Sequence, residues 1–244
     1  MSGRRVLFWF FGPAAGCLVS MLLVPVFILL IILSSVAALK GQSINPSTSG
    51  VNPQQSMTGF VWSGKKNQAV VNAALSMTPY LRNNAREYVE GFPQAALDYW
   101  SEFCPWSSGC WEDWQNGNVQ CVMFVFAAYG LAGQDLPSAP DAVFFWRDYQ
   151  DVPGWLEIPN GTKTGPIPGD IIVWSDNGLG HVAIVLDVQM PTLGQAGSVT
   201  FGQANGPASI EQQPLTFDAA GNLTMQTWRG YTVLGYIRHV AYVS

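Results

Sequence analysis

Residues 118–130 read NVQCVMFVFAAYG. A polar turn, Asn118 to Gln120, gives way to an apolar run that carries Cys121 at its first position. The pattern predicts a helix over Cys121 to Leu131 that stops near Gly133, with Asn118 as its N-cap. Downstream the rhythm changes. Ile171 to Trp174, His181 to Val188, Ser198 to Phe201, Leu215 to Phe217 and Thr232 to His239 are short, strand-like and mostly bounded by turn residues such as Pro168-Gly169-Asp170 and Asn177-Gly178. A helix followed by sequential strands predicts an α+β fold with a mostly antiparallel sheet.

Upstream of that helix, Asn67 to Trp100 carries apolar residues at helical spacing in two pieces, Ala69 to Met77 and Tyr88 to Trp100, broken at Thr78-Pro79. Residues 60–110 are therefore expected to form a helical segment ahead of a main domain at 111–244, either an accessory hairpin or the first layer of that domain. Gly41 to Gly59 is rich in Ser, Asn, Gln, Pro and Gly and reads as a flexible linker, residues 41–59. Before it, MSGRR is followed by an uncharged apolar run from Val6 to Leu39, long enough to span about 30 Å of hydrocarbon. Arg4 and Arg5 favour a cytoplasmic N-terminus, so residues 1–40 are expected to be a short stub plus one transmembrane helix, with the bulk of the chain outside. Ser35-Val36-Ala37 resembles a signal cleavage site, but the apolar run is longer than a usual signal core. Ala15-Gly16-Cys17 hints at lipidation, yet the apolar core continues past the cysteine.

The chain has 11 Lys and Arg against 16 Asp and Glu, a net charge of −5. Arg4, Arg5 and Lys40 precede every acid, so the exported part is more acidic still. Such a surface argues against nucleic acid as a partner, because phosphate binding needs clustered Lys and Arg.

Four cysteines sort by place. Cys17 lies in the apolar run. Cys104 and Cys110 sit close together in a Trp- and Gly-containing loop, and outside the cytoplasm such a pair is a disulfide candidate. Cys121 is then left alone. At a helix N-terminus the macrodipole favours thiolate over thiol, and first-turn N–H groups have no helical partner and can face a developing oxyanion. A buried core cysteine is the bland alternative.

Two histidines are present. His239 lies in an apolar strand and reads as structural. His181 opens the strand in GLGHVAIVLDV after a glycine turn, where a rigid strand can hold an imidazole as general base. A third group must accept a hydrogen bond from the far ring nitrogen. SVTFGQANGPA offers Gln203 and Asn205, which share a face if the strand continues; turn chemistry before Gly206-Pro207 is the other reading. Trp174 is a candidate wall of the cleft, and Trp106, Trp111 and Trp114 cluster before Cys121. Asp170 is expected to cap its turn.

The order of Cys121 at a helix start, PGDIIVW, GHVAIV and a strand ending in a polar pair with Asn resembles the CHAP domain, the cysteine, histidine-dependent amidohydrolase/peptidase family. The resemblance covers roughly Trp111 to Val243. It implies a papain-like fold and hydrolysis of peptidoglycan amide bonds, as an N-acetylmuramoyl-L-alanine amidase or an endopeptidase. By the same resemblance Cys121 is the nucleophile, His181 the base, Gln120 the polar residue before the nucleophile that can help hold an oxyanion, and Asn205 the asparagine after the third strand. Gln203 falls where many members carry Glu, and an amide supplies no negative charge to an imidazolium. Either Asn205 alone orients His181 or the site is weak. Some members bind calcium through acids before the nucleophile; only Glu112 and Asp113 occur there, so no metal or other cofactor is expected. With the anchor over residues 6–39, the expected whole is a membrane-bound wall hydrolase, with proteins of a secretion or conjugation apparatus as candidate partners. A catalytically weak or inactive wall-binding or scaffold domain of such an apparatus is the alternative.

Overall fold

The computed structural model describes residues 66–104, 108–137, 139–175, 178 and 180–242. Helix α1 (Lys66–Met77) runs into a 3₁₀ turn (Thr78–Tyr80) and a two-stranded hairpin, β1 (Leu81–Arg82) and β2 (Glu87–Tyr88). Helices α2 (Gln94–Glu102), α3 (Ser108–Gln115), α4 (Cys121–Leu131) and α5 (Ala142–Asp148) follow. Then come β3 (Trp155–Pro159), β4 (Ile171–Ser175), β5 (His181–Gln189), β6 (Gly197–Gly202), β7 (Ile210–Phe217), β8 (Leu223–Met225) and β9 (Thr232–His239). The last seven strands form one antiparallel sheet in the order β3-β9-β4-β5-β6-β7-β8. The α+β expectation with a mostly antiparallel sheet holds. The expected transmembrane segment, Cys17, the linker at 41–59 and Trp106 lie outside the described residues. No helix among the described residues is long and apolar enough to cross a membrane.

Helix α4 is the hub, and its sequence says why. Every residue from Val122 to Tyr129 is buried. A helix that is apolar all round has no solvent face to offer, so it must be enclosed. Helix α1 brings Val70, Val71, Ala74 and Met77 to this core, α2 brings Ala96 and Trp100, and the sheet brings Val173, Val182 and Ile184. Burying each such side chain contributes about 1.5–3 kcal/mol. The indole of Trp100 donates to the Met123 carbonyl at 3.0 Å, tying α2 to α4 within the apolar layer. Gly130 is required at the far end, because a β-carbon there would run into the Tyr99 ring.

The central strands β4 and β5 are buried on both faces over most of their length, which explains why they read as continuous apolar runs instead of alternating ones. Ile171 and Val173 of β4 face the helices, whereas Ile172 and Trp174 face a second core with Ala183, Val185, Phe201, Trp228 and Tyr236. Register shifts at Val173/Trp174 and at Val185/Asp187 interrupt the ladders.

Two local expectations are corrected. The second helical piece expected over Tyr88 to Trp100 starts late. Asn83, Asn84 and Ala85 all take positive φ (51°, 61° and 52°) and close the β1–β2 hairpin, so the helix begins only at Gln94, after Pro93. Helical spacing of Tyr88 and Phe92 there reflects an aromatic cluster with Trp100, at centroid distances of 6.5 Å and 5.5 Å, and not a helix face. Asn118 does not cap α4. Gln120 is the N-cap and its side chain makes no capping bond. Asn118 instead pairs with Glu87 and donates its N–H to the Asp113 carbonyl.

Cys104 and Cys110 are joined in a disulfide across 5.7 Å between α-carbons, clamping the end of α2 to α3. Asp170 does cap its turn, accepting from the Ile167 N–H at 2.8 Å. It also forms a fully buried two-pronged ion pair with Arg238, at 2.9 and 2.7 Å. The same guanidinium donates to the Gly165 carbonyl. His239 packs edge-on against Trp155 and its Nδ1 accepts from the Ala241 N–H.

Candidate active site

The first helical hydrogen bond of α4 runs from the Phe124 N–H to the Gln120 carbonyl at 3.0 Å. The N–H groups of Cys121, Val122 and Met123 therefore precede the helical ladder. Cys121 is half-buried and its thiol is free. The backbone N–H groups of Val182, Val122 and Cys121 itself favour the charged form of its sulfur. The influence of Val182 ties the sulfur to the first residues of β5, the strand that His181 opens.

His181 is 5% exposed and lies directly across the ladder from Trp174. Gly180, at φ 81°, makes the turn that brings it there; a β-carbon at that position would collide with the Trp174 carbonyl. The imidazole Nε2 lies 2.7 Å from Gln203 Oε1. The amide's own orientation settles the tautomer. Gln203 Nε2 donates to the Ala208 carbonyl at 2.9 Å, so Oε1 must face the ring and can only accept. The proton therefore sits on Nε2, and Nδ1 keeps its lone pair for a thiol proton.

Aromatic packing encloses this pair. The Trp228 ring stacks on the imidazole, with centroids 4.7 Å apart and planes 25° apart. Trp174 lies 5.7 Å from the imidazole and 5.2 Å from Trp228. Burial drives the imidazole down to about 4, against a smaller upward pull from Gln203. Burial likewise pushes the Cys121 thiol up to about 11, against the three backbone N–H groups, and Asp141 adds to the rise. Desolvation therefore opposes charge on both groups, against the helix-terminus effect that favours thiolate.

Asn205 and Gln203 do not share a strand face, because β6 ends at Gly202 and Asn205 turns at φ 56°. Gln203 is fully buried and holds the imidazole. Asn205 is exposed; its N–H donates to the Ala85 carbonyl at 2.8 Å and its Nδ2 to Gln120 Oε1 at 2.6 Å. The reading in which Asn205 alone orients His181 is thus replaced by one in which it holds Gln120. Trp174 is fully buried, so it backs the imidazole and does not wall an open cleft. Trp114 is half-buried and its carbonyl accepts from the Tyr88 hydroxyl.

Trp228 was not legible as a site residue. It sits far along the chain from Cys121, and the local signal, Arg229-Gly230 between apolar residues, marks only a turn. Its indole N–H donates to Glu211 at 2.7 Å, which locks the ring's rotation over His181.

The assembly is a thiol, first-turn amides outside the helical ladder and a tethered carboxamide at a helix start, with a tautomer-locked imidazole at the start of β5. It can deliver a sulfur nucleophile to a carbonyl carbon and a proton to a leaving group. No curated protein matches the chain. A family model described as the CHAP domain matches residues 111–205, a stretch holding Gln120, Cys121, His181, Gln203 and Asn205 but not Trp228. This part of the chain is therefore similar to CHAP domains, which in general are cysteine- and histidine-dependent amidohydrolases or peptidases.

Proposed function

We propose that the protein is a membrane-anchored peptidoglycan hydrolase that cleaves amide bonds of wall peptides, as an amidase or endopeptidase, through Cys121 and His181. The observation that carries the chemistry is the chain of contacts from Ala208 through Gln203 to the imidazole, which leaves Nδ1 with a free lone pair on the residue before Val182, whose N–H acts on the Cys121 sulfur. The anchor rests on the apolar run at residues 6–39, and the substrate on the likeness to CHAP domains.

The reaction starts from a neutral pair. As sulfur attacks the peptide carbonyl carbon, its proton passes to His181 Nδ1. The carbonyl oxygen gains the charge and is met by the Cys121 N–H and by Gln120 Nε2, which is free to donate because Asn205 already occupies Oε1. The imidazolium is stabilised by Gln203 Oε1 and by the face of Trp228, a cation–π contact that supplies part of what a carboxylate would. It then protonates the leaving amine. A thioester remains, and water deprotonated by His181 hydrolyses it, returning the thiol.

The test is a digest of purified peptidoglycan by the full-length protein and its Cys121→Ala variant, read by mass spectrometry. Cysteine-dependent fragments with new free amines support the proposal, and their masses distinguish lost stems from split ones. One observation favours a second reading, a binding or scaffold domain of a secretion or conjugation apparatus: an amide, Gln203, stands behind the imidazole and brings no negative charge to it. No fragments from several wall types under reducing conditions would select that reading.

A further inference from the structure

The cations of the described residues are nearly all committed. Arg82 donates to the Pro79 and Leu81 carbonyls, Arg147 pairs with Asp148, Lys163 donates to the Ala220 carbonyl and Arg238 pairs with Asp170. The side chain of Lys66 is not among those described. Arg86 and Arg229 are exposed, and neither makes an ion pair or a side-chain hydrogen bond. Both lie in segments that touch the site. Arg86 follows Ala85, whose carbonyl holds Asn205, and its own carbonyl accepts from the Val119 N–H next to Gln120. The Arg229 guanidinium carbon lies 5.9 Å from the centre of the Trp228 ring, the ring that stacks on His181.

The placement of Arg229 is unusual for its residue type. Trp228 and Tyr231 exchange N–H···O bonds of 2.9 and 2.8 Å, closing a two-residue hairpin. Its central residues, Arg229 and Gly230, take φ of 52° and 88°. This is a type I′ turn, whose first central position suits Asn, Asp or Gly and strains an arginine. A guanidinium held there over an aromatic ring, with neither a counter-charge nor a hydrogen-bond acceptor among the described residues, points to an external anion. The surroundings are negative: Asp141 acts on Cys121, and Glu211 is bound to the Trp228 indole. Without the two arginines such a site would repel an anion.

We infer that Arg229 and Arg86 recognise a free carboxylate on the substrate, so that the preferred peptide carries an anionic group near the scissile bond. The inference deepens the hydrolase reading and rests on it for the peptide, while the carboxylate site can be measured without turnover. Guanidinium is suited to the task because its planar fork meets both carboxylate oxygens.

The experiment measures binding to the full-length Cys121→Ala protein by calorimetry. The probes are two wall stem peptides that differ only in one free carboxylate against its carboxamide. The carboxylate form is expected to bind at least about fivefold more tightly, and added salt should erode the difference. Arg229→Asn and Arg86→Gln together should bring the ratio to about one, and Arg229→Lys should keep part of it. Asn is at home in the turn, so Arg229→Asn should leave the melting temperature unchanged or raised, which separates recognition from folding. Equal binding of the two peptides, a preference that survives in the double variant, or no binding of either would overturn the inference. A carboxylate preference in a protein that digests no peptidoglycan would keep the recognition site and remove the hydrolase reading.

Discussion

Gln203 Oε1 stands 2.7 Å from His181 Nε2 while the other end of the same amide donates to the Ala208 carbonyl. That second contact explains an amide where an acid is common. A carboxylate would set an oxygen against a carbonyl oxygen in a fully buried position. Gln203→Glu should therefore destabilise the fold by about 1–3 kcal/mol and, through its charge, raise the imidazole pKa from about 4. Gln203→Ala should lower turnover by about a hundredfold, since the tautomer is no longer held. Denaturant midpoints and the acid limb of kcat/KM against pH check both, and a Glu variant as stable as wild type would refute the account of Ala208.

Stability should fall toward acid because of His181. In the unfolded chain the imidazole takes its proton near the ordinary 6.5, but in the fold only near 4. Below 6.5 the unfolded state binds more protons, so the contribution is fully present above 6.5 and is lost as pH falls toward 4. Cys121 acts at the other end. Its thiol pKa is raised from 9.0 to about 11, so its contribution is present below 9.0 and lost as pH rises through 11. Melting temperatures across pH for wild type and His181→Gln test the acid half. The variant should lose less stability between pH 6.5 and 4, and parallel curves would contradict the assignment.

The resting thiol should be a poor nucleophile toward small reagents. With its pKa near 11, alkylation of Cys121 by iodoacetamide at neutral pH should be slower than that of a free model thiol and should climb steeply above pH 9.0. The rate is followed by mass spectrometry of the Cys121 peptide. A fast, pH-flat reaction would mean that the pair rests as thiolate and imidazolium.

Asn205 should act through Gln120 and not through His181. Asn205→Ala and Gln120→Ala should each lower kcat with little change in KM, and the double variant should be little worse than either alone, because the 2.6 Å bond couples them. The imidazole ¹⁵N shifts should be unmoved in Asn205→Ala and altered in Gln203→Ala. Additive losses would mean the two residues work separately.

The Asp170–Arg238 pair should matter for folding alone. Both side chains are essentially unexposed. Asp170→Asn leaves a buried guanidinium without its counter-charge and should cost about 3–5 kcal/mol, read as a denaturant midpoint shift. Loss of activity without loss of stability would give Asp170 a part in the chemistry instead.

Local physics made much of this protein legible in one dimension. The all-apolar run after Gln120 had to be an enclosed helix, and its observed bounds, Cys121–Leu131, match the pattern. The strands at 171, 181 and 232 were marked by β-branched runs between turn residues, and the close pair Cys104 and Cys110 by their spacing together with the expected export of the chain. Cys121, His181 and Gln203 could be named because each sits at an element's edge. What the tertiary structure decided was partnership and charge. Whether Gln203 or Asn205 meets the imidazole depends on β6 stopping at Gly202 and on Asn205 entering the left-handed region, a difference of one turn. Trp174 looked like a cleft wall but was drawn inside by the second core, and Trp228 reached His181 from 47 residues further along the sequence. The thiol's proton was settled in the same way. A helix N-terminus is visible in the sequence and favours thiolate, but the desolvation that pushes the thiol pKa up comes from residues brought together only by the fold.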